Sequence, residues 1–592
     1  MSFFDDASLV MIPSGYKDQK VYSVKPIDGT GDLTFSRGSD IEATRVAANG
    51  YIQKAKVNLL TYSNDFSNAA WTKTRSSLIG GQAGYDGTNN AWAYVDTTDN
   101  STHLMVQALT LGAQVATFSV YAKAAAVNFL VFRFEGSTGV DYAYFNLSNG
   151  TLGTIDSDYI DAEITPAGNG FYRCSVSRIL GASGNQAIIL SAEADNDPTY
   201  AGAATTALYL QDAQLNYGLV AQEYQQTTTT SVVAGITNDM PRLDYSGGAS
   251  CPSLLLEPSR QNLVTQSEFF GAWSNTEDTT VSSNNALSPE GVINSSKLIP
   301  QATSNLHRIS ESFTVTPSTP YTFSVFVKKA GYDYFLIRTG DGTNNNVGFD
   351  LANGTVTFEA SGYSGFIESF GNDWYRVGYV RSFAASAVTI FLRPNPTLVD
   401  FTSIPAFTGD GTSGVYIYGT QVEAGSYPTS YLPTYGTSAT RTADATQSGT
   451  LSAISGGEVS FFLDIDGAPN PSSNSTSANF QWYFTSGHWV AWNNNTTSSH
   501  RIRVTSALGN EYFAADVRRD DRCKIVALLT ATEAKVYANG VLVGTQTIDA
   551  DWSTTNGIFT SITNAVGVVP IKQMILFPIR LTDAQAIELT TL

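Results

Sequence analysis

In the run TFSVYAKA, Phe118, Val120 and Ala122 alternate with Thr117, Ser119, Tyr121 and Lys123. A period of two is the signature of a β-strand with one covered face. The same alternation returns along the chain in short runs, with turn-forming residues between them. No long stretch has the helical period. Asn149-Gly150 and Asn353-Gly354 sit between apolar runs, and the residue chemistry of each pair predicts a tight type I′ hairpin turn. A third such pair is Asn539-Gly540.

The pattern is also written twice. FNLSNGTLG from Phe145 answers to FDLANGTVT from Phe349, and NLLTYSNDF from Asn58 answers to NLVTQSEFF from Asn262. TFSVYAKAA from Thr117 matches TFSVFVKKA from Thr322, and GNGFYRCSV from Gly168 matches GNDWYRVGY from Gly371. LYLQDAQLNYG from Leu208 pairs with VYIYGTQVEAG from Val415, and EYQQT with SYLPT. Two copies of one domain are therefore expected, at 58–227 and 262–435. The segments 228–261 and 436–456 are rich in Thr, Ser, Gly and Pro and read as extended linkers. Residues 457–592 form a third β unit. The fold class expected is all-β: tandem antiparallel sandwiches of the jelly-roll type.

Composition agrees with this reading. Of the 592 residues, 42% are hydrophobic and only 14% charged, with 50 Gly and 30 Tyr, which disfavours helix-rich and disordered chains. A net charge of −19 repels a nucleic-acid backbone, so no nucleic acid is expected as partner. Cys174, Cys251 and Cys523 are too dispersed for a disulfide framework or a CxxC metal site. The opening MSFFDDASLVMIPSGYK lacks the layout of a secretory signal, and no window is apolar for long enough to span a bilayer as a helix. Neither ordinary export nor membrane insertion is expected.

The four histidines, His103, His307, His488 and His500, form no metal-binding spacing. Neither a nucleophile elbow nor a phosphate loop is present. No cofactor and no catalytic residue are assigned, and metal binding is left open. Asp464 and Asp466 are the acidic pair that sequence places on a single strand face, read first as an exposed strand end, then as a calcium contribution and third as a catalytic pair. Aromatic residues carry the stronger signal, because saccharide sites lay rings against sugar faces and surround them with amides. QWYFTSGHWVAWNNN makes Trp482, His488, Trp489, Trp492 and Asn493 the candidate carbohydrate-binding residues. Trp71, Trp273 and the Tyr172-Arg173 and Tyr375-Arg376 pairs recur in both copies and are read as structural, each Arg pairing with a backbone or carboxylate acceptor.

The N-terminal run, with GDLTFSR, ATRV and then NLLTYSNDF, resembles the opening of tailed-bacteriophage head-fibre and tail-fibre proteins. The end of the chain, KVYANGVLVGT followed by IKQMILFPIRLTDAQAIELT, resembles concanavalin A-like and laminin-G domains, in which a final strand precedes a short helix. LTDAQAIEL suits that helix, with Thr582 as its N-cap. The first resemblance implies a structural virion protein, assembled in the host cytoplasm. Residues 1–57 would attach it to other virion proteins, its sandwiches would be exposed to host glycans, and a trimer would be the favoured state. A virion polysaccharide depolymerase is the alternative, and an adhesin a more distant one.

Overall fold

The structure, a computed structural model, describes residues 3–592 apart from 18, 110, 137–138, 182–185, 341–345, 398–404, 449–456, 467–477, 484–487, 497–498, 516–521 and 553–567. Its elements are β-strands almost throughout, paired antiparallel in every sheet.

Each repeat is a sandwich of two six-stranded sheets. In the first, one sheet runs in the order 159–168, 171–179, 115–124, 206–217, 91–96, 76–82, and the other 151–155, 139–146, 129–136, 186–192, 103–108, 72–74. The second copy has the same order strand for strand: 364–371, 374–382, 320–330, 414–424, 293–300, 279–287, and 355–359, 346–350, 334–339, 387–395, 308–314, 275–277. Phe118, Val120 and Ala122 point into the first core with Phe132, Phe145 and Leu208. Phe323, Val325 and Val327 do the same in the second. Thr117 and Ser119 are buried as well, because the chain after 217 crosses that end of the outer face. Gly218 accepts a hydrogen bond from Thr117 Oγ1 at 2.8 Å.

The paired sequence motifs are the closures of these sandwiches. Asn58 donates to the carbonyls of Ala213 and Gln225 and accepts from the amides of Leu60 and Leu215, at 2.8–3.2 Å. Asn262 repeats the set with Thr420, Leu432, Val264 and Val422. Four bonds to one buried amide leave it fully satisfied, which is why burying it is tolerable. Ser63 and Ser267 clasp Tyr224 and Tyr431 through their hydroxyls at 2.8 and 2.7 Å. Arg173 reaches the carbonyl of Gln222, and Arg376 that of Thr429. Of the backbone or carboxylate acceptors expected for these arginines, the backbone is the one found. His103 and His307 are buried and contact the backbone oxygens of Arg75 and Asp278.

Two of the three Asn-Gly turns differ from the expected type. Asn539 and Gly540 both have positive φ, 48° and 79°, and join Ala538 to Val541 as a two-residue type I′ turn. In the repeats only the glycines do, Gly150 at 72° and Gly354 at 66°. There the loops hold four residues, and the glycine amide reaches back to the carbonyl of Asn146 or Asp350 at 2.9 Å. Glycine is needed twice over, since a Cβ at Gly150 would lie 2.4 Å from the ring of Tyr172.

The last sandwich draws on distant parts of the chain. Its main sheet runs 243–244, 253–256, 569–577, 459–465, 523–529, 533–538, 541–547, with Leu9–Met11 also paired to 569–577. A four-stranded sheet, 478–483, 489–496, 499–506 and 509–515, accompanies it. Leu9, Met11, Val21, Leu33 and Phe35 enter the same core as Phe461, Trp482 and Met574. Leu9, Met11, Val21, Leu33 and Phe35 from the segment 1–57, and Leu243, Leu254 and Leu256 from the segment 228–261, therefore belong to this core. The closing helix, Asp583–Thr590, is capped by Thr582 in a reciprocal capping box with Gln585, as its sequence predicts.

Where these segments meet lies a buried ionic network. Arg37 contacts Asp444 at 3.4 Å, Arg242 pairs with Glu257 at 2.6 Å and with Asp444, and Arg441 meets Glu257 at 3.0 Å. Other guanidinium donors reach carbonyls of Ser39, Thr237, Thr44 and Pro258. Facing Arg441 and Arg242, Glu257 is held down at about 2 even though burial pushes it upward.

Candidate functional site

Of the C-terminal candidate residues, the side chains of Trp482 and His488 are described. Trp482 is fully buried and packs on Phe461 with ring centroids 4.7 Å apart, so its ring has no face for a ligand. His488 is half-buried, its Nδ1 accepting from the amide of Asp551 at 3.2 Å and its ring 5.8 Å from Trp552. Trp489, Trp492 and Asn493 lie on the strand 489–496, and their side chains fall outside the described residues. Asp464 is buried and held by Arg522 at 2.9 Å, and Asp466 is paired with Lys572 at 3.0 Å. Asp464 is thus a buried ion-pair partner, whereas Asp466, just past the strand 459–465, is paired but partly exposed. Among the described residues no cluster of three or more His, Cys, Asp or Glu could hold a metal.

A cleft of about 650 Å³ opens instead on the outer face of the first repeat. Its size is that of an ordinary small-ligand site. The sheet period explains the lining. Leu210 points into the core and so turns Gln211 outward, while Trp92, opposite Leu210 in register, is partly buried against that core and lines the cleft with the rest of its ring. The Trp92 ring lies flat against Gly80, where a Cβ would be 3.1 Å from it, and its Nε1 donates to the carbonyl of Asn64 at 2.7 Å. Tyr85 stacks on Tyr121 at 3.9 Å and 8°. The loop carrying Tyr85 is pinned by Asn169, whose amide donates to the carbonyl of Gly84 at 2.9 Å, and by the Tyr85 amide donating to Gln211 at 3.2 Å.

Asp212 lies in the floor. Its φ is 54°, a left-handed conformation that costs a non-glycine residue energy and concentrates at functional sites. The Tyr85 hydroxyl donates to its carboxylate at 3.0 Å, and the Tyr224 phenol, which is hydrogen-bonded to Ser63, faces it from the other wall. Burial pushes Asp212 up to about 6 although the neighbouring Tyr85 and Tyr224 phenols draw it down. Burial beside the carboxylate pushes both phenols upward too, so they remain donors at neutral pH. Around the rim stand Asp86, Asn89, Asn90 and Gln226. The side-chain amides of Asn89, Asn90 and Gln226 engage no protein group among the described residues and are exposed to whatever enters. Two rings, three uncommitted amides and a carboxylate around one concavity can stack a flat apolar face and hydrogen-bond a fringe of hydroxyls.

In the second repeat the corresponding concavity is filled by the chain itself. By strand register and motif, Glu268, Tyr418, Gly419 and Tyr431 stand where Asn64, Gln211, Asp212 and Tyr224 stand in the first. The hairpin 44–46 and 52–54 lies on them. Ile52 packs with Phe326, Tyr418 and Tyr431, and Lys54 Nζ sits 2.9 Å from Glu268 and 2.8 Å from Glu290. The fold thus uses one cleft as an internal joint and leaves its twin open.

Sequence reasoning followed what the copies share and so passed over this site, whose residues are those in which the copies differ. Asn64 against Glu268, Gln211 against Tyr418 and Asp212 against Gly419 were the available signal.

No family model and no curated protein matches the chain. Solved structures resemble parts of it. Domain 4 of AbnA, a GH43 extracellular arabinanase from Geobacillus stearothermophilus in complex with arabinotriose, is 16% identical over 25% of this chain and 73% of its own, with a TM-score of 0.20. The CBM40 of Ruminococcus gnavus IT-sialidase bound to alpha2,3 sialyllactose is 14% identical over 23% and 83%, with a TM-score of 0.17. The LG1-3 region of the laminin alpha2 chain is 10% identical over 82% and 97%, again at 0.17. At such scores the comparisons carry no assignment. The architecture rests on the strand order itself: two jelly-roll sandwiches of identical topology and a third, composite β-sandwich.

Proposed function

We propose that the chain is a saccharide-binding protein whose ligand enters the outer-face cleft of the first repeat. The observation that carries this reading is the lining of that cleft: Trp92 and Tyr85 beside the uncommitted amides of Asn89, Asn90 and Gln226, over the strained floor residue Asp212. The aromatic ring supplies the apolar platform and the amides supply directional hydrogen bonds. On the resemblance of its opening segment to phage fibre proteins, we further propose that the protein is a non-catalytic, projecting component of a virion. In this reading the open cleft contacts glycans and the closed one joins the sandwiches.

A glycan array with the full-length protein, paired with a reducing-end assay, tests the proposal. Trp92→Ala should abolish the array signal, with no reducing ends released by either protein. Binding that survives Trp92→Ala overturns the site, and released reducing ends overturn the non-catalytic reading in favour of a depolymerase.

A further inference from the structure

This inference rests on the saccharide reading of the first cleft and concerns the chemical class of its ligand. The second cleft shows what its architecture can hold: a primary ammonium. Lys54 Nζ lies 2.9 and 3.1 Å from the two carboxylate oxygens of Glu268 and 2.8 Å from Glu290. It stands over the rings of Tyr418 and Tyr435 at 6.0 and 5.7 Å. Those contacts combine charge-assisted hydrogen bonds with cation–π attraction, both strengthened by burial.

The first cleft keeps the polarity and moves the charge. Its walls present Asp86 and Asp212 and no Lys, Arg or His. Asp212 is 6% exposed, receives the Tyr85 phenol as a donor and is paired with no basic side chain among the described residues. A carboxylate has about four acceptor positions, so positions remain for a cation arriving from the cleft. An acidic saccharide would instead bring its carboxylate against two others with no cation to offset them.

We infer that the cleft selects a saccharide bearing a free primary amine, of the de-N-acetylated hexosamine kind, whose ammonium is received by Asp212 while the ring rests beside Trp92. Titrating the full-length protein near neutral pH with short glucosamine oligomers, N-acetylglucosamine oligomers of equal length and uronic acid oligomers tests this. The amine-bearing oligomer should bind at least about tenfold more tightly than its acetylated twin, the ratio expected for one charge-assisted bond, and the uronate should not bind.

Asp212→Asn keeps the size and the left-handed backbone of the residue but removes its charge. It should erase the preference, bringing the amine-bearing oligomer down to the affinity of its acetylated twin. The net charge of −19 attracts any amine weakly, but that attraction would persist in Asp212→Asn. A preference that survives the substitution, or equal binding of the acetylated oligomer by the native protein, overturns the inference and leaves the saccharide reading standing. Failure of every saccharide to bind overturns both.

Discussion

If Asp212 is kept for its ligand, it should be a burden on the fold. Its carboxyl has an ordinary value of 3.8 and rises to about 6 in the folded chain. A carboxyl whose folded value lies above its unfolded value favours folding when protonated and opposes it when ionised. The cost is therefore absent below pH 3.8, grows between 3.8 and 6, and is constant above that. At roughly 1.4 kcal/mol per tenfold change in proton affinity, it amounts to about 3 kcal/mol at pH 7. Asn in this position tolerates the same positive φ and can still accept from Tyr85. Asp212→Asn should then stabilise the first repeat by on the order of 3 kcal/mol at pH 7 and by almost nothing near pH 3. Native-state hydrogen exchange in the intact protein, read at the strands 115–124 and 206–217, measures this locally. Slower exchange in the variant at pH 7, converging with the parent in acid, is the expected result. A variant that exchanges faster at pH 7, or a difference independent of pH, would refute the reasoning.

Lys54→Met should cost about 3–5 kcal/mol in urea unfolding, because Glu268 and Glu290 would be left buried without their cation; an unchanged midpoint would mean that the hairpin does not occupy the second cleft. Glu257 lies near 2 in the fold against its ordinary 4.5, so its contribution is present above pH 4.5 and is lost as pH falls toward 2. Glu257→Gln should accordingly lower the unfolding midpoint at pH 7 and leave it nearly unchanged at pH 2. Asn262→Ala removes four buried hydrogen bonds and should destabilise the second repeat by roughly 2–4 kcal/mol, visible as faster exchange in 414–424.

The two repeats were legible because their strands are local: each hairpin carries its own alternation and turn residues, and the second copy restates the first. The turn type was not, since an Asn-Gly pair suits both a two-residue turn and the end of a four-residue one, and the choice depends on how Asn146 and Asp350 pair across the strands. The last sandwich was hidden for a different reason. Leu9–Met11 pairs with residues 569–577, and no local pattern announces a partner so far along the chain. The fibre-like phrase GDLTFSR gives no sign in sequence that its Arg37 shares one buried network with Arg242, Glu257, Arg441 and Asp444. Trp482 looked like a binding ring because an aromatic on a strand gives no sign of which sheet face is covered. The cleft needed the opposite habit of reading, attention to where duplicated domains diverge.

The most direct test of the central claim is where a bound saccharide protects the intact protein from hydrogen exchange. With the best array ligand at saturation, protection should be confined to residues 80–92 and 211–226, the walls and floor of the first-repeat cleft. Protection centred on 480–505 instead would contradict the account and return the site to the C-terminal aromatics.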